Sequence, residues 1–319
     1  MRAIVLAEGQ TGSLGPLTLD IPTLALPVAG VPLVARMLDY LEAQGVTEAV
    51  VSCYRWPHLV ERGVECRTGQ LPVTIALQSS PASSLNPVWE LAAESDESFI
   101  VVMGNVLTDL DLRAAIAAHE KWGAVATVVA TPSDPPCLYG EVTTDREGAV
   151  VMIGSEQLVL REGKRTANAG MYILSPDIFR YLGQGQSFDL AGELLPRLVE
   201  LEMPVFASVQ EGYWHSLTSH DDYRAVNVDL VAGHVQGMVP EGQEVSEGVW
   251  VADGARIDPD VTLTPPILIG RGCRVERDAS IGPEAILGEG VQVAAVASCG
   301  AQLSYRGARS VSQHVSRTP

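Results

Sequence analysis

VWVADGARIDPDVTLTPPILIGRGCRVERDASIGPEAILGEGVQV, Val249 to Val293, is the stretch whose spacing decides how the C-terminal part folds. Val251, Ile257, Leu263, Ile269, Val275, Ile281, Leu287 and Val293 recur every six residues. Two places before each stands Val249, Ala255, Val261, Ile267, Cys273, Ala279, Ala285 or Val291, mostly small. Three places after come Gly254, Asp260, Pro266, Gly272, Asp278, Glu284 and Gly290, residues that suit a corner. One aliphatic, one small residue and one turn residue per hexad is the signature of a β-solenoid. Three hexads per triangular coil, the left-handed β-helix arrangement, give somewhat under three coils over residues 245–303. Some such solenoids are acyltransferases that use a histidine. Here no His lies between His234 and His314, so the expected role is structural. Its open end and edges need covering, which makes it an expected oligomer contact. Residues 304–319, rich in Ser and Arg, read as a flexible tail.

Working back toward the N-terminus, another period takes over. Up to about residue 235, short Val- and Ile-rich runs alternate with helical patterns. RAIVLA, EAVVSCY, VTIALQ, SFIVVMGN and AVATVVAT read as buried strands bounded by turn residues. PLVARMLDYLEAQG has apolar residues at helical spacing, with Pro32 near its first turn and Gly45 as its stop. DLRAAIAAHEKWG repeats that pattern, with Asp111 as N-cap and Gly123 beyond the end. Such alternation predicts an α/β domain over residues 1–235, with a mostly parallel sheet covered on both faces. In such sheets a ligand sits at the carboxyl ends of the strands. The glycine-punctuated loop LAEGQTGSLGPLTLDIPT, Leu6 to Thr23, follows the first strand at that place.

Composition narrows the partners. The apolar fraction of 46% and charged fraction of 19% suit a globular protein, and no apolar run approaches the roughly 20 residues a membrane span needs. MRAIVLAEG meets charge and glycine too early for a signal peptide, so the expected location is cytoplasmic and off the membrane. Cys53, Cys66, Cys137, Cys273 and Cys299 are odd in number and scattered, as reduced thiols would be. The net charge is −18, of which residues 1–244 carry −17, with 14 Lys and Arg against 31 Asp and Glu. That acidity argues against nucleic acid as a partner. Only two lysines exist, Lys121 and Lys164.

That scarcity matters because a glycine-rich phosphate loop ordinarily works with cations, and Leu6–Thr23 contains neither Lys nor Arg. Taken with PVAGVPLVARMLDYLEAQGV, VVMGNVLTDLDL, NAGMYILSPDIF and EGYWHSLTSHDDY, the loop resembles the sugar-1-phosphate nucleotidyltransferase family. Mannose-1-phosphate guanylyltransferases and glucose-1-phosphate thymidylyltransferases belong to that family, and a hexad solenoid also occurs in it. The resemblance covers nearly the whole chain and implies a Rossmann-like α/β domain followed by a β-helix. Family enzymes join a nucleoside triphosphate to a sugar 1-phosphate and release pyrophosphate, by positioning and by placing cations on developing charge.

Carried over residue by residue, the resemblance separates shape from chemistry. The family loop L-A-[AG]-G-x-G-T-R-L-x-P-L-T is matched at Leu6, Ala7, Gly9, Leu14, Pro16, Leu17 and Thr18. Its arginine falls on Ser13, the lysine of a following P-K pair falls on Thr23, and Glu8 adds negative charge. The family's two Mg²⁺-binding aspartates fall on Asn105, in VVMGNV, and Ser216, in EGYWHSLTS. Its E-K-P triplet falls near Ser155, Glu156 and Gln157. The implied nucleotide site comprises Ala7, Glu8, Gly9, Thr11, Gly12, Ser13, Gln78 and Ser83, with Pro81 kept in QSSPASS. Gly140, Asn168, Ala169 and Gly170 match sugar-pocket elements.

With both cations and both metal ligands replaced, the expectation is a retained fold with a dismantled catalytic centre. No cofactor is expected, and Mg²⁺ only if catalysis survives. Expected partners are a nucleotide or nucleotide sugar, a second copy of the chain, or an active paralogue. Two rival readings stay open: catalysis by relocated groups among Arg161, Lys164, Arg165, Asp109 and Asp111, and a scaffold that binds no small molecule. LREGKR otherwise reads as a solvated loop, TSHDDY as a helix cap set by Ser219 and Asp222, and Trp214 and Tyr172 as core or pocket-wall aromatics.

Overall fold

The computed structural model describes residues 1–7, 14–79, 96–132, 139–154, 164–181, 189–300 and 303–304. The chain divides into two compact units, one of Met1–Ala25 with Leu33–Thr218, the other of Leu26–Pro32 with Ser219–Pro319. The sequence pattern alone divides the chain between residues 235 and 245. A helix and a hairpin inside the α/β pattern therefore group with the solenoid.

The first unit is built on one mixed sheet. Its strands are β1 (Arg2–Leu6), β2 (Glu48–Cys53), β3 (Val73–Leu77), β4 (Phe99–Met103), β5 (Ala126–Thr131), β6 (Glu141–Thr144), β7 (Val150–Gly154), β8 (Lys164–Leu174) and β9 (Val205–Val209). Side by side they run β7-β6-β8-β4-β1-β2-β3, and β5 joins β8 to β9. β4, β1, β2 and β3 are parallel, as is the pair β5 and β9. The long strand β8 meets β4, β5 and β6 antiparallel, so the sheet is less uniformly parallel than the alternating pattern predicts. All five strands read from the sequence are present. Four are largely buried, whereas Val73–Leu77 lies at the sheet's edge with Leu77 63% exposed.

Helices α1 (Leu33–Ala43), α2 (Pro57–Glu65), α3 (Leu112–Trp122) and α4 (Leu195–Glu200) belong to this unit. Asp111 caps α3 by accepting from Ala114 N at 3.1 Å, and Gly123 ends it at φ 60°, where a side chain would be strained. Tyr172, Phe99, Ile4 and Leu174 sit in the core, and Tyr172 is fully buried. His119 is also buried, its ring nitrogens within 2.9 Å of Thr127 Oγ1 and 3.1 Å of Ser98 Oγ. Burial lowers its pKa to about 4.

In the second unit the hexads do what their spacing requires. Val249 pairs with Ile267 and Ile267 with Ala285, eighteen residues on each time. Arg256, Arg274 and Gln292 align on a second face, and Thr262, Ser280 and Ser298 on a third. Three parallel sheets thus enclose Ile269, Val275, Ile281, Leu287 and Val293, with Cys273, Ala279 and Ala285 at the small positions. Cys299 continues the aliphatic series one step further and is fully buried. Gly254, Gly272, Asp278, Glu284 and Gly290 take positive φ at the corners, as does Val296, the next in that series. Asp260 and Pro266 turn without it.

Helix α5 (His220–Val231) packs on the first of these sheets, whose outward Leu268 and Ile286 are 1% and 4% exposed. Ser219 Oγ accepts from Asp222 N at 3.1 Å and starts the helix as its sequence suggests. Asn227 Oδ1 on α5 accepts from Ala29 N at 2.7 Å, and Tyr223 OH donates to Pro27 O, which fixes the hairpin Pro27–Pro32 to this unit. Among the described residues no helix is long and apolar enough to cross a membrane.

Candidate functional site

The register of the parallel strands sets which residues share an edge. Leu6 lies beside Met103 and Ser52, and Cys53 beside Leu77, so the carboxyl ends of β4, β1, β2 and β3 are level. Ala7 continues past β1 and donates its N–H to Ser52 O at 3.0 Å. Gly104 continues past β4 and donates to Leu6 O at 2.8 Å. A Cβ on Gly104 would stand 2.6 Å from Leu6 O, so only glycine lets the two chain segments approach this closely. Gln78 continues past β3, donating its N–H to Cys53 O and its Nε2 to Ala76 O. Arg55 and Trp56 follow β2 at the same edge. The Arg55 guanidinium lies 5.0 Å from the indole centre, and Trp56 holds φ 48°. Sequence reasoning missed this cation, because no motif marks it.

Asn105 and Ser216 are far apart in the chain and are brought together here. The short strand Trp214–Ser216 runs antiparallel to Val106–Thr108, with Ser216 opposite Val106. Leu217 N donates to Asn105 O at 2.7 Å, which closes that ladder beside the sheet edge. Tyr139 OH donates to Asn105 Oδ1, and burial holds the phenol above its ordinary pKa, so it remains a neutral donor. The contact of Tyr139 with Asn105 had no signal, because thirty-four residues separate them.

Gly140, Asn168, Ala169 and Gly170, expected from the resemblance at a sugar pocket, lie near this edge, held mostly by backbone. Asn168 is fully buried, donating Nδ2 to Tyr139 O at 3.0 Å and accepting from Gly170 N at 3.0 Å. It thereby holds the bulge in β8 between Asn168 and Met171. Ala169 O accepts from Trp214 Nε1 at 2.8 Å. Gly170, at φ 69°, faces Tyr139, where a Cβ would come within 2.6 Å of the ring. Gly140 packs against Gly154, and its carbonyl accepts from Asn168 N at 3.1 Å. Both polar atoms of the Asn168 side chain are thus committed to the fold.

Thr23 opens a short 3-10 turn, Thr23–Ala25, beyond the opening loop. Glu8, Gly9, Thr11, Gly12 and Ser13 lie outside the described residues, as do Pro81, Ser83, Cys137, Ser155, Glu156, Gln157, Arg161 and the tail beyond Ser304. The relocated-group alternative loses two members. Asp109 Oδ1 accepts from Tyr213 N at 2.6 Å and Asp111 caps α3, so both carboxylates serve structure. Lys164 and Arg165 begin β8 opposite Thr144 and Thr143, so the end of LREGKR is strand where the sequence suggests a loop.

Mg²⁺ prefers several oxygen ligands with carboxylate charge among them. The two positions expected from the resemblance to hold it, Asn105 and Ser216, present an amide and a hydroxyl, and the amide oxygen already accepts from Tyr139. Among the described residues no group of three or more His, Cys, Asp and Glu is placed to hold a metal ion. These donors do not fit the ion.

Comparison with known proteins gives this edge its context. The family model described as nucleotidyl transferase matches residues 2–233. A UTP–glucose-1-phosphate uridylyltransferase from Synechocystis sp. is 27% identical over 290 residues, covering 85% of this chain and 74% of its own. A mannose-1-phosphate guanylyltransferase from Mycobacterium tuberculosis is 27% identical over 276 residues, covering 84% and 75%. The crystal structure of HddC from Yersinia pseudotuberculosis shares the fold at a TM-score of 0.58 and 22% identity, covering 71% of this chain and 97% of its own. The matched span embraces every strand of the α/β sheet, the Asn105–Ser216 edge and helix α5, and on that ground the chain belongs to the nucleotidyl transferase family.

Proposed function

We propose that this protein holds a nucleotide or nucleotide sugar at the carboxyl edge of its α/β sheet without turning it over, and acts as a sensing or regulatory member of sugar-nucleotide metabolism. The relatives' names supply the substrate class. One observation carries the rest: Asn105, bonded to Leu217 beside Ser216, and Ser216, paired with Val106, bring neutral groups to neighbouring positions of one short ladder, with Asn105 Oδ1 already bonded to Tyr139. Phosphoryl transfer depends on cations and dipoles placed on developing charge, and losing one such donor typically costs about 10²–10³ in rate. Several losses together do not multiply freely, yet even part of them removes useful turnover.

Binding is less demanding than catalysis. Backbone N–H groups of a glycine-rich loop can hold an anion without a cation, though less tightly. Arg55, at the same edge, adds one positive charge that the family motif does not require. In this reading the protein is cytoplasmic and works through a second copy or an active paralogue, with the solenoid as the assembly surface.

Calorimetric titration with NDP-sugars and nucleoside triphosphates, with and without Mg²⁺, tests the reading. NDP-sugar binding that ignores Mg²⁺ is expected. Triphosphate binding that requires Mg²⁺ would contradict it and point to a working metal site.

A further inference from the structure

The solenoid carries a charge pattern unrelated to the α/β edge. Five described arginines lie in the second unit: Arg224, Arg256, Arg271, Arg274 and Arg277. Two are paired, Arg224 with Glu284 and Arg271 with Glu241. The other three have no side-chain hydrogen bond or ion pair among the described residues. These three line one groove of about 570 Å³ on the second face of the β-helix.

Their arrangement is imposed by the hexad. Arg256 and Arg274 are direct partners in parallel strands, one coil apart, with Gln292 next in the row. Adjacent strands lie about 4.8 Å apart, so two guanidinium stems rise side by side from a rigid sheet. Like charges directly opposite each other in a sheet are unfavourable. Carboxylates are close by, yet they are used elsewhere. Asp258 Oδ1 accepts from Asp260 N at 3.2 Å, and Glu276 Oε2 accepts from Ala295 N at 3.3 Å. Each thus ties down a corner of the coil but keeps its charge in the lining of the same groove, where three arginines stand against two carboxylates for a net charge of +1.

We propose that this arginine row is a binding site for a diphosphate group. Two guanidiniums about one strand spacing apart match two linked phosphates, each able to take a paired N–H···O contact. Arg277 at the rim adds a third positive charge, and the groove has room beyond the phosphates for further substituents. A diphosphate could come from free pyrophosphate or from a nucleoside-diphosphate sugar. The site is independent of the α/β edge and of any function assigned to it.

The test is titration of the full-length protein with inorganic pyrophosphate at low salt, repeated with orthophosphate. Arg256→Gln with Arg274→Gln removes the row, and Gln292→Glu leaves both arginines in place while adding a carboxylate to it. Arg271→Gln, outside the groove, is the control, and unchanged melting curves establish folding. The expected result is pyrophosphate binding tighter than orthophosphate, weakened at least tenfold in the double variant, weakened in Gln292→Glu and retained in Arg271→Gln. No pyrophosphate binding, or binding that survives the double variant, would overturn the proposal. Because the α/β edge is itself proposed to take NDP-sugars, the sources separate by stoichiometry: loss of one of two NDP-sugar binding events in the double variant assigns the solenoid site to the nucleotide sugar, and an NDP-sugar isotherm unchanged by the double variant assigns it to the free diphosphate.

Discussion

The solenoid core and the Asn105 edge are held by opposite strategies. In the solenoid the same burial is repeated every eighteen residues, so each coil rests on a neighbour made by the same rule. At the edge nothing repeats. Asn105, Tyr139, Asn168–Ala169 and Trp214–Leu217 come from four separate segments and hold one another through a few hydrogen bonds. The first region fails through lost packing, and the second changes function while the fold survives.

The comparison can be broken most severely in the solenoid. Ile281 is fully buried between coils, and Ile281→Ala should cost about 2–5 kcal/mol through lost burial and an unfilled cavity. Chemical denaturation followed by circular dichroism would measure it. A loss well under 1 kcal/mol would mean that the coil interior collapses around the gap more readily than repeated packing allows.

The α/β unit should respond to pH where the solenoid, which has no histidine among residues 245–300, lacks that route. His119 titrates near 4 in the folded protein against an ordinary 6.5. Below pH 6.5 the unfolded chain takes up a proton that the folded one refuses, so stability falls until about pH 4 and then levels for this group. Linkage puts the loss at up to about 3 kcal/mol. Denaturant midpoints across that window should fall in the wild type and fall less in His119→Gln.

A smaller effect probes the edge itself. Gly104→Ala forces a methyl group against Leu6 O and Ala7, and overpacking of this kind costs about 1–3 kcal/mol. Its diagnostic consequence is weaker nucleotide-sugar binding with the solenoid transition unchanged. The smallest effect is a gain. Val296, 73% exposed, holds φ 63° as a β-branched residue where the other positive-φ corners use glycine, Asp278 or Glu284, so Val296→Asn or Val296→Gly should stabilise by about 1 kcal/mol, read as a rise in Tm.

These contrasts also explain what could be read without coordinates. The hexads give strand positions, corners and coil length because each signal is local and repeated. The parallel core is equally plain, since β1, β2, β4 and β5 are Val- and Ile-rich runs between turn residues. The antiparallel return of β8 was hidden, because NAGMYIL carries no mark of its direction. Grouping α5 and the Pro27–Pro32 hairpin with the solenoid was hidden too, resting on contacts such as Asn227 to Ala29 across 198 residues. For the site, the resemblance named Asn105, Ser216, Gly140 and Asn168–Gly170 as candidates. Spacing could not show that Tyr139 already occupies Asn105, nor that Asp109 and Asp111 are spent on Tyr213 and on the cap of α3.

The central claim is that the fold remains while its catalytic charge is gone. Pyrophosphate release from nucleoside triphosphates and sugar 1-phosphates, in saturating Mg²⁺, tests it most directly. The account predicts no release above background from the purified protein. Release at a turnover of about 1–10³ s⁻¹, the ordinary enzyme range, would contradict it and show that other groups carry the chemistry.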